Sequence, residues 1–373
     1  MAASEAIQKI SRLTPLADVL LTIDAEVKAV TQRTIDVLTG VGRTLAADAM
    51  APARPASALA LQDGWAISAD ETLGAGNYAP SQLVRAPSRI EAGQALPAGT
   101  DSVAPIDTVK IAGGLAEALT PINPGEGVLP AGGDSDPAIP LRRAGERLRI
   151  TDLAAFSAAG IARITVREPR IRVIPVRGSG IISAAARLVT ADIERRGGSS
   201  RLDESGRGLD VAMATENADA IVAIGGTGSG RNDNSVQVLA REGRLAVHGI
   251  ALTPGETGAF GFAGTRPILL LPGRLDAALS VWLVVGRRML DRLAAAKSSE
   301  SEPAEALCLA RKVSSTVGLA ELVPVRRNAG EAEPLATKYL PLSSIARSDG
   351  WILVPADSEG YSAGTSVQVR PWP

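Results

Sequence analysis

The sequence is poor in the residues that build metal and proton-transfer sites. Its 373 residues include one cysteine, Cys308, and one histidine, His248. This excludes most transition-metal sites and argues against a histidine-based catalytic triad. A free cysteine usually behaves as a small buried hydrophobic residue, so we expect Cys308 to lie buried in a strand. His248 lies in an alternating run and is expected to be structural, with a proton shuttle as the alternative.

Aromatic residues are also scarce, and the chain has neither an excess of basic charge nor a long apolar run. Aromatic side chains make up 3% of the chain, too few for the stacking platforms that bind single-stranded nucleic acid. The formal net charge is -1 at pH 7, so no general attraction to nucleic acid or to an anionic membrane is expected. The chain shows neither a signal-peptide core nor an apolar run near the roughly 20 residues that cross a bilayer. We therefore expect a cytoplasmic protein that binds neither nucleic acid nor membrane.

The apolar content, in contrast, is ample for several cores. Hydrophobic residues make up 45% of a chain that is longer than one core normally serves. The local pattern predicts an α/β and β multidomain protein. The predicted parts are a helical linker domain at 1–52 and 145–169, a β-rich insert domain at 53–144, a doubly wound α/β domain at 170–296, and a small C-terminal β domain at 306–373.

Apolar spacing predicts the elements within these parts. Leu16, Val19, Leu20 and Ile23 predict one face of a helix, and a second, shorter helical segment is expected from Asp24. In the α/β domain, strands are expected at 170–176, 219–224, 245–252 and 268–271. Helices are expected in this domain at 181–196 and 277–293, the latter with Asp276 as its N-cap, and in the linker domain at 153–159.

The most informative segment is a glycine-rich loop at 225–233. It follows the unbroken apolar run 221–224, which is typical of a strand buried on both faces, and it ends on Asp233. Glycines allow main-chain N–H groups to face a phosphate or another oxyanion, and a carboxylate beside that phosphate usually requires a metal ion such as Mg²⁺. The alternative is a tight strand-to-helix turn with Asp233 as N-cap. The spacing matches neither the dinucleotide fingerprint nor the P-loop.

Three further turns are expected beside this loop, at one edge of the same predicted sheet. They are residues 176–180, 253–256 and 271–274, and each alone is also compatible with a plain turn. Two acids outside this domain are also candidates. Asp63 precedes a glycine, as in a hairpin turn, and Asp134 follows two glycines.

Several motifs, in this order, resemble the molybdopterin molybdenumtransferase family, which includes MoeA and the gephyrin E domain. Residues 42–48 resemble G-R-x-L-A-x-D, and residues 62–66 resemble M-D-G-Y-A, whose aspartate is a site residue. Residues 89–101 resemble R-I-x-T-G-x-x-x-P-x-G-x-D, and residues 132–134 stand where the family has G-E-D. Asp203 lies where the family has an aspartate of P-D-D. Residues 225–233 match the glycines and the final aspartate of G-G-x-S-x-G-x-x-D. Residues 253–255 resemble K-P-G, and residues 271–273 resemble the start of L-P-G-N-P.

The resemblance covers nearly the whole chain and implies an elongated homodimer. Its cleft would lie between the α/β domain of one subunit and the first domains of the other. It implies insertion of molybdate into adenylylated molybdopterin, with Mg²⁺ as the cofactor. The candidate protein partners are a molybdopterin adenylyltransferase and a molybdoenzyme.

The chain also departs from the family motifs. The threonine of R-I-x-T-G is Ala92, and Ser179 and Gly180 replace the acid pair of T-G-D-E-L. Residues 253–257, which correspond to K-P-G-K-P, lack both lysines and have Glu256 at one of those positions. In the segment that corresponds to L-P-G-N-P, Arg274 replaces the asparagine. These losses are expected to weaken binding of a pyrophosphate and of molybdate, with Arg231 and Arg274 as candidate replacements.

The predicted function is Mg²⁺-dependent molybdate insertion with release of AMP. Asp233 and Asp203 are expected to hold the metal, and Asp63 and Asp134 complete the predicted catalytic acids. The predicted cofactor-binding residues are Ser179, Gly225, Gly226, Thr227, Gly228, Ser229, Gly230, Arg231, Pro254, Gly255, Pro272, Gly273 and Arg274. One alternative is an impaired family member that holds the cofactor as a chaperone or scaffold for a molybdoenzyme. Another is an unrelated sugar or nucleotide phosphate enzyme on a similar sheet.

Overall fold

The computed structural model describes residues 8–176, 180–206, 208–215, 217–297 and 304–373. The chain divides into two compact units. The larger unit comprises Met1–Ala47, Ala144–Leu153 and Arg163–Pro373, and the insert unit comprises Asp48–Arg143 and Ala154–Ala162.

The N-terminal part of the larger unit contains one amphipathic helix and short strands. The elements are β1 (Thr14–Pro15), α1 (Leu16–Glu26), β2 (Arg33–Asp36) and β3 (Thr44–Leu45). Leu16, Val19 and Ile23 are buried, which confirms the predicted helix face. The predicted second helical segment from Asp24 is wrong, because the chain after α1 is extended and β2 pairs antiparallel with residues 163–166. Branched side chains at 34 and 35 favour this pairing over a helix.

The insert unit is built from short antiparallel strands and turns, as the spacing of proline and glycine predicts. Its strands are β4 (Leu59–Ala60), β5 (Gly64–Ile67), β6 (Ser81–Gln82), β7 (Ser88–Ile90), β8 (Ser102–Pro105), β9 (Val109–Ala112), β10 (Leu115–Ala118) and β11 (Val128–Leu129). They form sheets in the orders β7-β5-β8, β6-β10-β9 and β11-β4. Helix α2 (Ile150–Ala158) follows in the chain and confirms the helix predicted at 153–159.

Strand and helix then alternate through the α/β part of the larger unit. The strands are β12 (Arg163–Arg167), β13 (Arg170–Pro175), β14 (Ser199–Leu202), β15 (Ala220–Ile224), β16 (Arg244–His248), β17 (Ile250–Thr253), β18 (Ala259–Ala263) and β19 (Arg266–Leu271). The helices are α3 (Gly180–Arg195), α4 (Leu209–Met213), α5 (Ser235–Glu242), α6 (Leu275–Val281) and α7 (Arg287–Ala294), with a π-helical segment, Trp282–Gly286, joining α6 to α7.

The main sheet of this part has the order β14-β13-β15-β19-β18-β16. Strands β14, β13, β15 and β19 are parallel, whereas β18 and β16 are antiparallel to their neighbours. Val222 and Ile224 of β15 face the core that includes α3 and α6, and Ile221 and Ala223 face the core that includes α4 and α5. Helices on both faces of a mostly parallel sheet confirm the predicted doubly wound domain.

Two details of this domain differ from the sequence expectation. The single strand expected at 245–252 is interrupted at Gly249, whose φ of 93° lies in the left-handed region. This turn places β16 in the main sheet and β17 in a different sheet. At the last helix, the N-cap is Arg274, and Asp276 lies inside the helix, where it accepts hydrogen bonds from the Arg274 guanidinium.

The C-terminal part is a small barrel. Its elements are β20 (Glu305–Leu309), β21 (Val313–Ser314), β22 (Ala320–Asn328), β23 (Glu331–Pro334), α8 (Leu342–Arg347), β24 (Gly350–Val354), β25 (Gly360–Tyr361) and β26 (Ser366–Pro371). The order β22-β23-β20-β26-β24 closes into a ring because β24 also pairs with β22.

Strands β17 and β1 continue the barrel sheet outward from β22. Cys308 lies in β20 as predicted, but its side chain is exposed, because Leu307 and Leu309 take the inward positions of the alternating strand. Among the described residues, no helix combines the length and apolarity needed to cross a membrane.

Candidate functional site

The glycine-rich loop begins where β15 ends, and its first two glycines are required by the backbone. Gly225 and Gly226 have φ values of 99° and 73°, in the region that side chains disfavour. A Cβ atom on Gly226 would lie 2.3 Å from Ser235 Oγ. Ser235, the first residue of α5, donates from its Oγ to Gly225 O at 2.9 Å and from its N–H to Gly226 O at 3.0 Å. The loop is therefore bound closely to the start of α5.

This loop presents main-chain donors that have no partner in the described part of the chain. The N–H groups of Gly226, Thr227, Gly228 and Ser229 donate to no residue that the structure describes. Thr227 is 2% exposed, so its N–H group is withdrawn from bulk water. Buried N–H groups in proteins are almost always paired, and successive free amides form a concavity that favours an anion. The loop thus has the chemistry expected of an oxyanion site.

The loop forms one wall of a cavity of about 450 Å³ in the larger unit. This volume is in the range of small-ligand sites. Three of the turns predicted from sequence meet here, since the lining residues are Ile182, Gly225, Gly226, Thr227, Gly228, Asp233, Glu256, Thr257, Pro272, Gly273, Arg274 and Ala277. The turn at 253–257 follows β17, so it reaches the cavity from the barrel sheet and not, as expected, from the main sheet.

Asp233 folds back onto its own loop. Its Oδ2 accepts a hydrogen bond from Gly230 N at 3.0 Å, and its N–H donates to Gly230 O at 2.9 Å. The N-cap position of α5 is Asn234, so Asp233 is not the cap of that helix. The carboxylate is half-buried and lines the cavity, which leaves Oδ1 as its candidate ligand atom.

Glu256 is the second acid in the cavity. Its Oε1 accepts from Thr253 Oγ1 at 2.6 Å, and its Oε2 accepts from Gly255 N at 3.1 Å. Both carboxylate oxygens are therefore fixed by the turn. The predicted binding residues of this turn, Pro254 and Gly255, do not line the cavity. Their neighbours Glu256 and Thr257 do.

Arg274 supplies the positive charge of the cavity. Its guanidinium donates to Asp276 at 3.0 Å and 2.6 Å and lies 5.4 Å from the centre of the Tyr339 ring. The hydrogen bond with Asp276 raises the pKa of Arg274, and the charges of Asp276 and Glu256 act in the same direction. Arg274 therefore remains cationic, although Asp276 already balances its charge.

Asp203, the other predicted metal ligand, is bound to its own neighbours. Its carboxylate accepts from Ser205 N at 3.0 Å and from Arg172 Nε at 3.0 Å. Hydrogen bonds from Ser205, and then from Arg172, lower the pKa of Asp203 to about 2. It does not line the cavity beside the glycine loop. Within the described ranges, no group of three or more histidine, cysteine or acidic residues is arranged to hold a metal ion.

None of the remaining predicted residues of the larger unit is among the described residues that line this cavity. Ser229, Gly230 and Arg231 form the exposed end of the glycine loop. Ser179 lies outside the described residues. Metal and ligand roles for these side chains stay predictions.

The two acids of the insert unit lie in different local environments. Asp63 Oδ1 accepts from Ala92 N at 2.9 Å. Asp63 is not part of a hairpin turn, because Gly64 already belongs to β5, which pairs with β7 and β8. Asp134 lines a second cavity of about 450 Å³ together with Arg54, and its N–H donates to Arg54 O at 2.8 Å.

Sequence reasoning missed Gln8. Its side chain is 7% exposed and contacts the glycine loop from far away in the chain. Gln8 Nε2 donates to Gly226 O at 3.0 Å and to Gly228 O at 2.7 Å, and Gln8 Oε1 accepts from Val236 N at 3.1 Å and Gln237 N at 3.3 Å. No local pattern marks this residue, because its partners are separated from it by more than 200 positions.

The fold and cavity define a class: multidomain proteins whose doubly wound domain presents free amides for an anion at the carboxyl ends of its parallel strands. Comparison with known proteins identifies the family. The model of the MoeA N-terminal region (domain I and II) matches residues 1–160, the model described as "Probable molybdopterin binding domain" matches 203–292, and that of the MoeA C-terminal region (domain IV) matches 306–372. The chain belongs to the MoeA family of molybdenum cofactor biosynthesis proteins.

Relatives of similar length support this assignment. A Methanocaldococcus jannaschii protein named as a molybdopterin biosynthesis protein is 25% identical over 372 residues, covering 90% of this chain and 91% of the relative. Two crystal structures of the molybdopterin biosynthesis MoeA protein from Pyrococcus horikoshii are 24% and 23% identical. Each has a TM-score of 0.75 and covers 97% of this chain and 100% of its own. These structures show the shared fold.

Proposed function

We propose that this protein inserts molybdate into adenylylated molybdopterin and releases AMP in an Mg²⁺-dependent reaction. The observation that carries the proposal is the run of N–H groups from Gly226 to Ser229, which have no partner among the described residues. Gly226, Thr227 and Gly228 of this run line the cavity. A phosphate or pyrophosphate group supplies the acceptors that these donors lack. Membership of the MoeA family supports a molybdopterin as the pterin that carries this phosphate.

The residues of the cavity have different proposed roles in binding the ligand. The loop amides donate to phosphate oxygens, and Arg274 adds a fixed positive charge at the turn after β19. Asp233 and Glu256 oppose the approach of an anion, because like charges at close range repel. The proposed ligand is therefore expected to bind weakly without a cation and more tightly with one.

Asp233 fits a role in holding Mg²⁺, and Asp203 fits it less well. Mg²⁺ is usually bound by one or two carboxylates together with substrate phosphates, so one free oxygen of Asp233 is compatible with this mode. The Asp203 carboxylate is already engaged by Arg172 and Ser205. Bound Mg²⁺ would neutralise charge on the phosphate bridge and on the leaving AMP. The protein then needs mainly to position the pterin and molybdate, a task that requires no protein nucleophile.

The proposal includes a homodimer, which the family resemblance implies. In that arrangement Asp63 and Asp134 of one subunit orient water or metal at the cavity of the other. Their free carboxylate oxygens are suited to this role.

A second candidate function is cofactor binding without turnover, as a chaperone or scaffold for a molybdoenzyme. It is favoured by the acid arrangement just described. The Asp203 carboxylate is hydrogen-bonded by Arg172, and Glu256 lies at a position where the family motif has a lysine. A cavity of this kind retains the phosphate cradle but has fewer groups for chemistry.

One assay distinguishes the two functions. Purified protein is supplied with adenylylated molybdopterin, molybdate and Mg²⁺, and AMP release and pterin binding are measured. Asp233→Ala and Asp233→Asn are compared with Asp357→Asn, a matched change at an exposed acid of the barrel part. AMP release that both Asp233 variants lose supports the transferase. Tight pterin binding without AMP release supports the holder, and absence of both rejects the proposal.

A further inference from the structure

The side chain of Gln8 is a hydrogen-bonding bridge between two parts of the candidate site. Its amide nitrogen donates to the carbonyl groups of Gly226 and Gly228, and its amide oxygen accepts from the N–H groups of Val236 and Gln237. It is 7% exposed, yet it is not one of the residues that line the cavity. Gln8 therefore contacts the loop from the side that does not face the cavity.

This contact fixes the direction of the loop amides. In a planar trans peptide, the C=O of one residue and the N–H of the next point in opposite directions. Because the carbonyls of Gly226 and Gly228 point at Gln8, the N–H groups of Thr227 and Ser229 point away from it. These are two of the amides that have no partner among the residues that the structure describes.

The chemistry of this position suits glutamine and few other residues. It requires two donors for the carbonyls and an acceptor for the first-turn N–H groups of α5, which have no partner within the helix. A lysine would supply only donors and a glutamate only acceptors. The neighbouring chain is held in place as well, since Thr14 N donates to Gly249 O at 2.9 Å and Thr14 pairs with Ile250.

We infer that Gln8 is a positioning residue that holds the glycine loop with its N–H groups directed toward a bound phosphate. This inference rests on the proposed function of the cavity and extends it to the N-terminal segment of the chain. Gln8 itself does not contact the ligand. Without its amide, the carbonyl of Gly228 loses its donor, whereas that of Gly226 keeps the Ser235 N–H, so the Gly228 carbonyl is free to turn toward the cavity.

The test uses two substitutions in the full chain. Gln8→Met keeps the length of the side chain and removes all four hydrogen bonds, whereas Gln8→Glu keeps the acceptor for α5 and removes the donors. Lys9→Ala, at the exposed neighbouring residue, is the control. Amide hydrogen exchange of Val236 and Gln237 reports the bridge directly, and titration calorimetry with adenylylated molybdopterin and with inorganic pyrophosphate reports the loop.

We expect Gln8→Met to raise both dissociation constants about tenfold and to speed exchange of the Val236 and Gln237 amides about tenfold, as the loss of these hydrogen bonds implies. Gln8→Glu should weaken binding at least as much while the two amides stay protected, because its carboxylate repels the loop carbonyls. In activity assays, Gln8→Met should raise KM more than it lowers kcat. Lys9→Ala should change none of these values.

The outcomes distinguish failure of the inference from failure of the proposed function. If Gln8→Met speeds exchange but leaves both dissociation constants unchanged, the inference is wrong and Gln8 is only a cap of α5. If the wild-type protein binds pyrophosphate but not adenylylated molybdopterin, the proposed function fails, and the effect of Gln8 is decided on pyrophosphate alone. If the wild-type protein binds neither probe, both proposals fail.

Discussion

A single residue, Glu256, sets the balance of charge in the glycine-loop cavity. Its carboxylate is fixed by Thr253 and by the N–H of Gly255, so it cannot turn away from a ligand without losing both bonds. The nearest positive group along the lining, Arg274, is already paired with Asp276. Anion binding here therefore depends on the loop amides acting against a local acidic charge.

We predict that Glu256→Gln tightens binding of inorganic pyrophosphate about tenfold when metal is chelated. Removal of one repulsive charge near the protein surface is worth roughly 1 to 4 kcal/mol, and a tenfold change requires about 1.4 kcal/mol. Titration calorimetry in the presence of EDTA measures it. Glu242→Gln, on the exposed end of α5, should have no effect. Unchanged affinity in Glu256→Gln would mean that pyrophosphate binds elsewhere.

Gly226 is the second residue on which the site depends. We predict that Gly226→Ala lowers the free energy of unfolding by roughly 3 kcal/mol, since the new methyl group meets Ser235 Oγ and the backbone conformation is strained. Pyrophosphate binding should be lost in parallel. The measurements are chemical unfolding and calorimetry.

Gly264→Ala is the matched control for this change. Gly264 also has a positive φ, 61°, but its Cβ atom would meet nothing within 4 Å. Only the backbone strain of about 1 kcal/mol is expected there. Equal losses in the two variants would show that the contact with Ser235 does not matter.

At the scale of elements, helix α3 is joined to the last helices of the α/β part by a buried ion pair. Asp192 of α3 accepts from Arg287 Nε at 2.8 Å and from Trp282 Nε1 at 2.8 Å, and all three side chains are buried. Burial opposes the ionisation of Asp192, but the hydrogen bonds and charge of Arg287, and the hydrogen bond of Trp282, lower its pKa to about 2. Asp192 is therefore charged at neutral pH.

We predict that Asp192→Asn destabilises the protein by about 3 kcal/mol at pH 7, because it removes the carboxylate charge that is paired with the buried Arg287 guanidinium. The depressed pKa gives a stability contribution that is present above pH 4 and is lost as the pH falls from about 4 to 2. The variant should lack this part of the acid sensitivity. Urea unfolding at several pH values, with the exposed Asp18→Asn as control, measures both effects. An identical pH dependence in variant and wild type would contradict the assignment.

Local sequence patterns predict most of the elements but not the points where the chain changes sheet. The apolar run of β15 and the spacing within α1 and α3 identify their elements, because burial on one or both faces imposes a period on the sequence. The change of sheet at Gly249 leaves no such mark, since the residues on either side are apolar and alternate in the same way. Strand β20 shows the converse case: the strand is predicted correctly, but which of its faces carries Cys308 depends on the barrel.

The candidate site likewise contains some residues that the sequence predicts and others that it does not. Its glycines and Asp233 are visible in one short segment of sequence, and three of its turns meet in one cavity. Gln8 and Glu256 are not predictable from local patterns, because the role of each depends on groups that the fold brings close. The charge pairing of Asp203 with Arg172 likewise follows from the alignment of β13 with β14.

At the scale of the whole molecule, the proposed homodimer can be tested through shared sites. If the acids of one subunit act at the cavity of the other, then Asp63→Ala and Asp233→Ala impair different halves of the same site. We predict that mixing the two inactive variants, with exchange of subunits, restores about a quarter of wild-type AMP release. Random exchange makes half of the dimers mixed, and each mixed dimer has one intact site.

Light scattering of each variant is the control for this experiment, since both must remain dimeric. Mixing Asp233→Ala with Asp203→Ala should restore nothing if those two residues act within one subunit. Recovery in that second mixture, or none in the first, would reject the shared arrangement.

The crossing at Gly249 gives the cavity one wall from each sheet. Strand β17 pairs with β22 of the barrel, and the turn that follows carries Glu256 and Thr257 into the cavity. Occupancy of the cavity and cohesion of the barrel are thereby thermodynamically linked: a ligand that contacts this turn protects the barrel against unfolding. By the same reciprocity, a substitution that destabilises the barrel core is expected to lower the affinity for the ligand, although it lies far from every atom that the ligand contacts.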